Sequence, residues 1–208
     1  MNISKFLLIE SALVITAIPL LFLLQGGKKK YPLSTNSTKE ILLSKTSFKL
    51  QDKEKLIELE KLANNQGSGI KIDSIVGDWS FISVWKKNID EEDVVFSSLL
   101  RIFAAKIKFK KKLPTEYSNK FSVIASIQLG VLTIEFSGFG YLKGKQPLLS
   151  FFFNLIELKS GSNILLSRSL KKSEEKEKSF FALIALEENG KCLSARGQGG
   201  AMVIWLKN

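Results

Sequence analysis

The order of apolar and polar residues divides the chain into three parts. A nearly unbroken apolar run occupies residues 6–24. Further on, Leu56, Leu59 and Leu62 recur among charged residues with helical spacing. From Ile70 onward, apolar and polar residues alternate with a period of two, which is typical of strands with one buried face. The pattern predicts a membrane helix, a packing helix and a β domain.

The β pattern is clearest in residues 105–110, where apolar residues alternate with Lys106, Lys108 and Lys110. About nine short segments of this kind follow residue 76, and glycine-containing turns separate most of them. No long helical segments alternate with them. We therefore expect a mainly β fold, either an antiparallel sandwich or a closed barrel, rather than a parallel α/β sheet.

The inward faces of these strands are the first candidate site. Trp79, Phe81 and Trp85 are expected on one face of the first strand. The chain has 15 phenylalanines, which is generous for one small barrel. Core packing against the helix is the simpler explanation, and a cavity for an apolar ligand or an edge that touches lipid are the alternatives. The candidate ligand-binding residues are Phe81, Trp85, Ile107, Phe109, Ile134, Phe136 and Phe153.

The N-terminal run is just long enough to cross a bilayer, which takes about 20 apolar residues. Glu10 and Pro19 weaken it, although a carboxylate near a helix end and a proline are both tolerated. No Ala-x-Ala pattern follows the run, so an uncleaved anchor is favoured over a signal peptide or a buried helix. Lys28, Lys29 and Lys30 then place the β domain on the cytoplasmic or stromal side.

The net charge and the composition of the chain indicate which kinds of partner it binds. The chain has 31 Lys+Arg against 20 Asp+Glu, a net charge of +11, which favours an anionic partner. We expect Lys28–Lys30 and the row Lys106, Lys108 and Lys110 to contact an anionic membrane surface, although a solvated strand face explains that row more simply. Nucleic acid is disfavoured because the chain has only three arginines.

Catalytic chemistry has few candidates in this sequence. The chain has no histidine and one cysteine, Cys192, so the usual general base, disulfide and multi-cysteine zinc site are excluded. We expect Cys192 to be a small buried residue. The sequence therefore predicts a protein that is not an enzyme, with no catalytic residue, no metal and no cofactor.

The sequence predicts that the chain is organised in four regions. Residues 1–27 form the hydrophobic anchor and residues 28–38 a basic, polar linker. Residues 39–69 form an amphipathic helix that packs on the barrel, and residues 70–208 form the β domain.

Residues from Lys39 onward resemble the plastid-lipid-associated (fibrillin) proteins of plastids and cyanobacteria, a lipocalin-like family. Three motifs carry the resemblance, in the expected order over about 170 residues. They are the helix end LEKLANN at residues 59–65, the Gly-x-Trp of IVGDWSF at residues 75–81, and LSARGQGG at residues 193–200 before the last strand. The acidic residue that the family often has before this last motif is not clear here.

The resemblance implies a lipocalin-like antiparallel barrel of about nine strands. It also implies that Trp79 closes one end of the barrel and that Arg196 stacks over it as a cation–π pair. The expected function is binding or carrying a lipid, a quinone or a pigment at a photosynthetic-type membrane, such as the thylakoid. The alternative is a non-catalytic assembly factor that recruits a protein partner.

Overall fold

A computed structural model describes residues 53–87, 91–111, 120–144, 147–170, 179–187 and 189–208. Three helices lie in these ranges: α1 (Lys53–Gln66), α2 (Ile72–Ile75) and α3 (Val94–Ile102). Nine strands make up most of the rest: β1 (Gly77–Trp85), β2 (Lys106–Lys111), β3 (Lys120–Leu129), β4 (Leu132–Lys143), β5 (Leu148–Ser160), β6 (Asn163–Ser169), β7 (Ser179–Glu187), β8 (Cys192–Gly197) and β9 (Met202–Lys207).

The nine strands form one antiparallel sheet in the order β4-β3-β2-β1-β9-β8-β7-β5-β6. An additional pairing joins β4 to β5, from Leu132↔Ser160 to Lys143↔Leu148, so the sheet closes on itself. The 13-residue β5 is long enough to pair with β7 at its start and with β6 at its end. All strands except β6 therefore form a ring, and β6 extends the sheet from β5.

The predicted mainly antiparallel β fold with nine strands is confirmed. The pattern predicted about nine strands after residue 76, and nine strands are observed there among the described residues. The predicted anchor, residues 6–24, and the linker lie outside the described residues. Within the ranges that the structure describes, no helix has the length and apolar character needed to cross a bilayer.

Alternation in β2 and β3 shows why these sequences form a two-sided sheet. Ile107 and Phe109 are buried, whereas Lys106 and Lys110 are exposed. In β3 every second residue from Phe121 to Ile127 is buried. Because side chains of a strand point to opposite faces in turn, the apolar set lies inside the ring and the lysines lie outside. The predicted pattern of residues 105–110 is confirmed.

Helix α1 covers part of the outer face of the ring. Its Leu56 is fully buried against a second apolar cluster, and Leu59 packs at the edge of that cluster. The other buried members are Trp85, Ile184, Ala185, Cys192, Met202 and Ile204. We call these residues, with Leu56, the outer cluster.

The predicted packing helix is confirmed for residues 53–66, and residues 39–52 lie outside the described residues. Its buried face differs from the predicted one, because Ala63 is buried and Leu62 is 45% exposed. The helix ends where Gly67 adopts a φ of 86° and its N–H donates to the carbonyl of Ala63.

Helix α3 was not predicted from the sequence. Asp93 caps its start by accepting a hydrogen bond from the Phe96 N–H at 3.1 Å. Ser97 ties the helix to β1, since its hydroxyl accepts from the N–H of Val84 and donates to the carbonyl of the same residue. The run Val-Val-Phe at the start of α3 has strand-like propensity, so the cap was the available signal.

Gly138 and Gly140 lie inside β4 and neither has a positive φ. The sequence indicated turns or bulges with positive φ at these glycines, and of these features only a bulge, beside Gly138, is present. A side chain on Gly138 would overlap the carbonyl of Phe152, and one on Gly140 would meet the Phe121 ring. Gly138 also adjoins a bulge, so it permits the close approach of β5.

Candidate functional site

The interior of the ring is the main candidate site. All eight strands of the ring contribute buried inward residues with aromatic or large aliphatic side chains. Five of the seven predicted ligand-binding residues are buried here: Phe81, Ile107, Phe109, Ile134 and Phe136. Phe153, the sixth, is half-buried and packs against them. We call all the buried inward residues of the ring, together with the residues of α2 and α3 buried against them, the inner cluster.

A continuous series of ring contacts runs along one wall of the inner cluster. Ring centroids lie 5.3 Å apart for Phe81–Trp205, 5.0 Å for Phe181–Trp205 and 5.4 Å for Phe151–Phe181. The series continues through Phe153 to Phe136, with centroid distances of 5.6 Å at both steps. These are favourable aromatic distances, so the five strands that supply the rings are held together by more than apolar burial alone.

Trp79 lies fully buried near the start of β1. Its indole N–H donates to the carbonyl of Ile75 at 2.7 Å, which fixes α2 against the ring. Ile72 and Ile75 of α2 belong to or pack against the inner cluster. Trp79 thus lies where α2 meets the first residues of β1.

Arg196 does not stack over Trp79, so that prediction is wrong. The cation above the Trp79 ring is Lys207, whose Nζ lies 5.3 Å from the ring centroid. Arg196 instead reaches α1, where its Nε donates to Oε1 of Glu60 at 2.7 Å and its Nη2 donates to Oε2. The physical reason is strand parity: Ala195 points into the inner cluster, so its neighbour Arg196 points outward.

Trp85 also differs from its predicted place. It lies in the outer cluster beneath α1, not in the interior. A register shift between Phe81 and Ser83 inserts Ile82 as an extra residue in β1, which reverses the alternation beyond it. Arg101 of α3 stabilises this bulge by donating to the carbonyl of Ile82 at 2.6 Å. A bulge leaves no mark in the apolar pattern, so the sequence could not place Trp85 correctly.

Trp205 is an interior residue that the sequence analysis did not select. In residues 201–206 both alternate sets are apolar, so parity could not be read from the sequence. Its indole Nε1 is buried and has no hydrogen-bond partner. The other unpartnered buried side-chain atoms of the described residues belong to Ser68, Arg101 and Ser194, which are not members of the inner cluster. Leaving such a donor unpaired costs about 1–3 kcal/mol, so it calls for an explanation.

The lysine row on β2 lies on the outer face, as predicted. Lys106 and Lys110 are exposed, but Lys108 forms a 2.8 Å salt bridge with Asp78 on the neighbouring strand. The charge of Lys108 is therefore locally balanced, and two of the three lysines remain available to an external anion. Lys28, Lys29 and Lys30 lie outside the described residues.

A polar cluster lies on the outer face of β4 and β5. Lys159 Nζ is 2.7 Å from Glu135 and 3.0 Å from Glu157. The hydrogen bond to Glu135 raises the pKa of Lys159, with a further contribution from Glu157, and partial burial opposes the shift. The cluster faces away from the inner cluster, and one lysine bridges two carboxylates that lie opposite each other on β4 and β5.

The interior has little chemistry beyond apolar contact and one donor. Among the described residues the buried polar side chains are Ser83, Ser97 and Ser194, and no charged side chain is buried. Cys192 is buried in the outer cluster, as expected for a small packing residue. An arrangement of this kind can bind an apolar molecule or fill a core, and it offers no acid–base pair among these residues.

Comparison with known protein families and with curated proteins found no match for this chain.

Proposed function

We propose that this protein is a membrane-associated, lipocalin-like barrel that binds or carries an apolar small molecule, such as a lipid, a quinone or a pigment. The observation that carries the proposal is the interior itself: strand after strand directs aromatic and aliphatic side chains inward, and no charge is buried among the described residues. Eight strands also give a ring wide enough for side chains or for one small ligand. The role is non-catalytic.

The proposed setting is a photosynthetic-type membrane, with the β domain on the cytoplasmic or stromal side of a single N-terminal anchor. Two features support it: the apolar residues 6–24, followed by Lys28–Lys30, and the net charge of +11. Each lysine near an anionic surface contributes on the order of 1 kcal/mol to binding. Lys106 and Lys110 supply such charge from the β domain, whereas Lys108 is paired with Asp78.

Resemblance to the plastid-lipid-associated family supports the same function through three short motifs. All three lie in regular elements. Residues 59–65 belong to α1, Gly77 and Trp79 open β1, and the stretch 193–200 covers most of β8 and the turn to β9. The second and third motifs therefore coincide with the first strand of the sheet and with its last two strands.

Purified full-length protein in mild detergent tests the proposal. Native mass spectrometry should detect a bound apolar molecule, and a neutral fluorescent polyene should bind in proportion to protein. Ala125→Phe would place a ring among the interior side chains and should weaken polyene binding about tenfold or more, since Ala125 is 3% exposed inside β3.

The matched control is Ser126→Phe, on the neighbouring outward position of the same strand. It should leave polyene binding unchanged. Equal binding by both variants, with circular dichroism showing both folded, would place the ligand elsewhere. Absence of any bound molecule and of any polyene binding by the unmodified chain would overturn the proposal.

A second candidate function, an assembly factor that recruits a protein, is favoured by one surface. On α3, Val95, Leu99 and Ile102 lie on one helical face and are 47%, 37% and 56% exposed. An apolar helix face of this kind suits a protein partner. Crosslinking should then capture one stoichiometric partner with the unmodified chain and lose it with Leu99→Asp. Retention of the same partner by Leu99→Asp would exclude this surface.

A further inference from the structure

The three tryptophans of the chain are all buried, but their indole N–H groups differ in whether they donate a hydrogen bond within the protein. Trp79 donates to the carbonyl of Ile75 at 2.7 Å, and Trp85 donates to the hydroxyl of Ser83 at 3.0 Å. Trp205 is 1% exposed and has no acceptor. Buried tryptophan N–H groups usually have a partner, so Trp205 is the exception within this chain.

The surroundings of Trp205 explain why the protein supplies no acceptor. The rings of Phe81 and Phe181 lie against it at centroid distances of 5.3 and 5.0 Å. Its strand neighbours on β1 and β8 are Phe81 and Leu193. None of these side chains carries an oxygen or a nitrogen. The indole N–H is therefore a single polar donor within an apolar wall, which is the arrangement that orients ligands in apolar pockets.

We propose that the Trp205 indole N–H is the polar contact of the interior ligand site, and that the ligand is an apolar molecule carrying a neutral carbonyl oxygen. This inference rests on the proposed function. A saturated hydrocarbon would leave the donor unpaired. A carboxylate would satisfy it, but would bury a negative charge, and no charged side chain is buried among the described residues to balance it. A ketone, quinone or ester carbonyl accepts the hydrogen bond and brings no charge.

Three probes of equal carbon number separate these possibilities: a long-chain methyl ketone, the corresponding alkane and the corresponding fatty acid. Each probe competes with the neutral polyene for binding to the full chain in the same detergent. The same measurement in detergent without protein corrects for differences in how the three probes partition into detergent. After that correction, the ketone should bind about threefold to tenfold more tightly than the alkane, as expected for one neutral hydrogen bond. The fatty acid should bind less tightly than the ketone at a pH where it is ionised.

Trp205→Phe removes the donor and keeps an aromatic ring, so the ketone and the alkane should bind this variant equally. Trp85→Phe is the matched control because Trp85 lies in the outer cluster with its N–H already bonded to Ser83. It should keep the preference for the ketone. Circular dichroism establishes that both variants are folded.

Indole ¹⁵N–¹H spectra of the unmodified chain give a second measurement that does not depend on Trp205→Phe folding. Three indole signals are expected, and Trp85→Phe and Trp79→Phe assign them by elimination. Ketone should move the Trp205 signal downfield, and alkane should not.

The outcomes separate this inference from the proposed function. Binding of none of the three probes overturns the proposed function and the inference together. Equal binding of ketone and alkane to the unmodified chain, tighter binding of the fatty acid, or a Trp205 signal that ketone leaves in place overturns the carbonyl contact alone.

Discussion

The inner and outer clusters consist of similar residue types, but they differ in what covers them and in whether their tryptophan N–H groups are hydrogen-bonded. Each buries tryptophan and aliphatic side chains against the same strands, on opposite faces of one sheet. The outer cluster is covered by α1, and its tryptophan N–H is bonded within the protein. The inner cluster is enclosed by the ring and retains an unpaired donor on Trp205. A covered face thus serves stability, whereas an enclosed face with an unpaired donor can serve a ligand.

The largest expected effect on stability comes from the inner cluster. Phe181→Ala removes a ring that contacts both Phe151 and Trp205, and it should lower the free energy of unfolding by about 3–5 kcal/mol. Phe180→Ala, at the next and half-buried position of β7, should cost about 1 kcal/mol. Urea denaturation of both variants measures the difference. Equal losses would mean that the two faces of β7 contribute alike.

The outer cluster should respond locally rather than globally. Leu56→Ala removes the fully buried contact of α1 and should cost about 2–4 kcal/mol. Leu62→Ala, at a 45% exposed position of the same helix, should change stability by less than about 0.5 kcal/mol. Amide hydrogen exchange should show lost protection in α1 while β2 and β3 keep theirs. Loss of protection in all three elements would show that α1 and the ring unfold as one unit.

Arg196 offers a smaller effect that separates its observed role from the predicted one. Arg196→Ala breaks two charge-assisted hydrogen bonds to Glu60, and both side chains are 19% exposed. We expect a loss of about 1–3 kcal/mol. A double-mutant cycle with Glu60→Gln should recover most of this as coupling between the two positions.

Lys207→Met is the control for the Arg196 cycle, because Lys207 is the cation above Trp79. It should show no coupling to Glu60. Coupling between Arg196 and Trp79, and none between Arg196 and Glu60, would instead support the cation–π stacking that the family resemblance implied.

The strand pattern made most of the fold predictable. Residues 105–110 alternate strictly, so both their secondary structure and their buried face followed from the sequence. The segment Phe151-Phe152-Phe153 is apolar on both faces of its strand, so alternation alone does not decide which face is buried. Phe153 was nevertheless selected as an interior residue, and it packs against the inner cluster. Four register shifts, at Ile82, beside Gly138, between Leu158 and Lys159 and at Ile184, change the strand pairing without any compositional sign.

The candidate site was predictable in outline and not in its polar detail. Five of the seven proposed interior residues are buried in the inner cluster because their strands alternate regularly. Trp205 was missed since both faces of β9 are apolar, and Arg196 was misplaced since the resemblance outweighed strand parity. Hydrogen-bond satisfaction of an indole depends on three-dimensional neighbours, so no sequence pattern could have selected Trp205.

The smallest expected effect concerns the outer face that α1 leaves uncovered. The hydrogen bond to Glu135 raises the pKa of Lys159 above its ordinary value of 10.5. A raised pKa in the folded state means that this contribution to stability is fully present below about 10.5 and is lost as pH rises through the folded-state value. Lys159→Met should therefore lower stability at neutral pH and reduce the alkaline loss seen in thermal melts above pH 10. Because Lys159 points away from the inner cluster, the same variant should bind the neutral polyene as the unmodified chain does. Weaker polyene binding by a folded Lys159→Met protein would show that the outer face of β5 communicates with the interior, and the separation of the two faces would then fail.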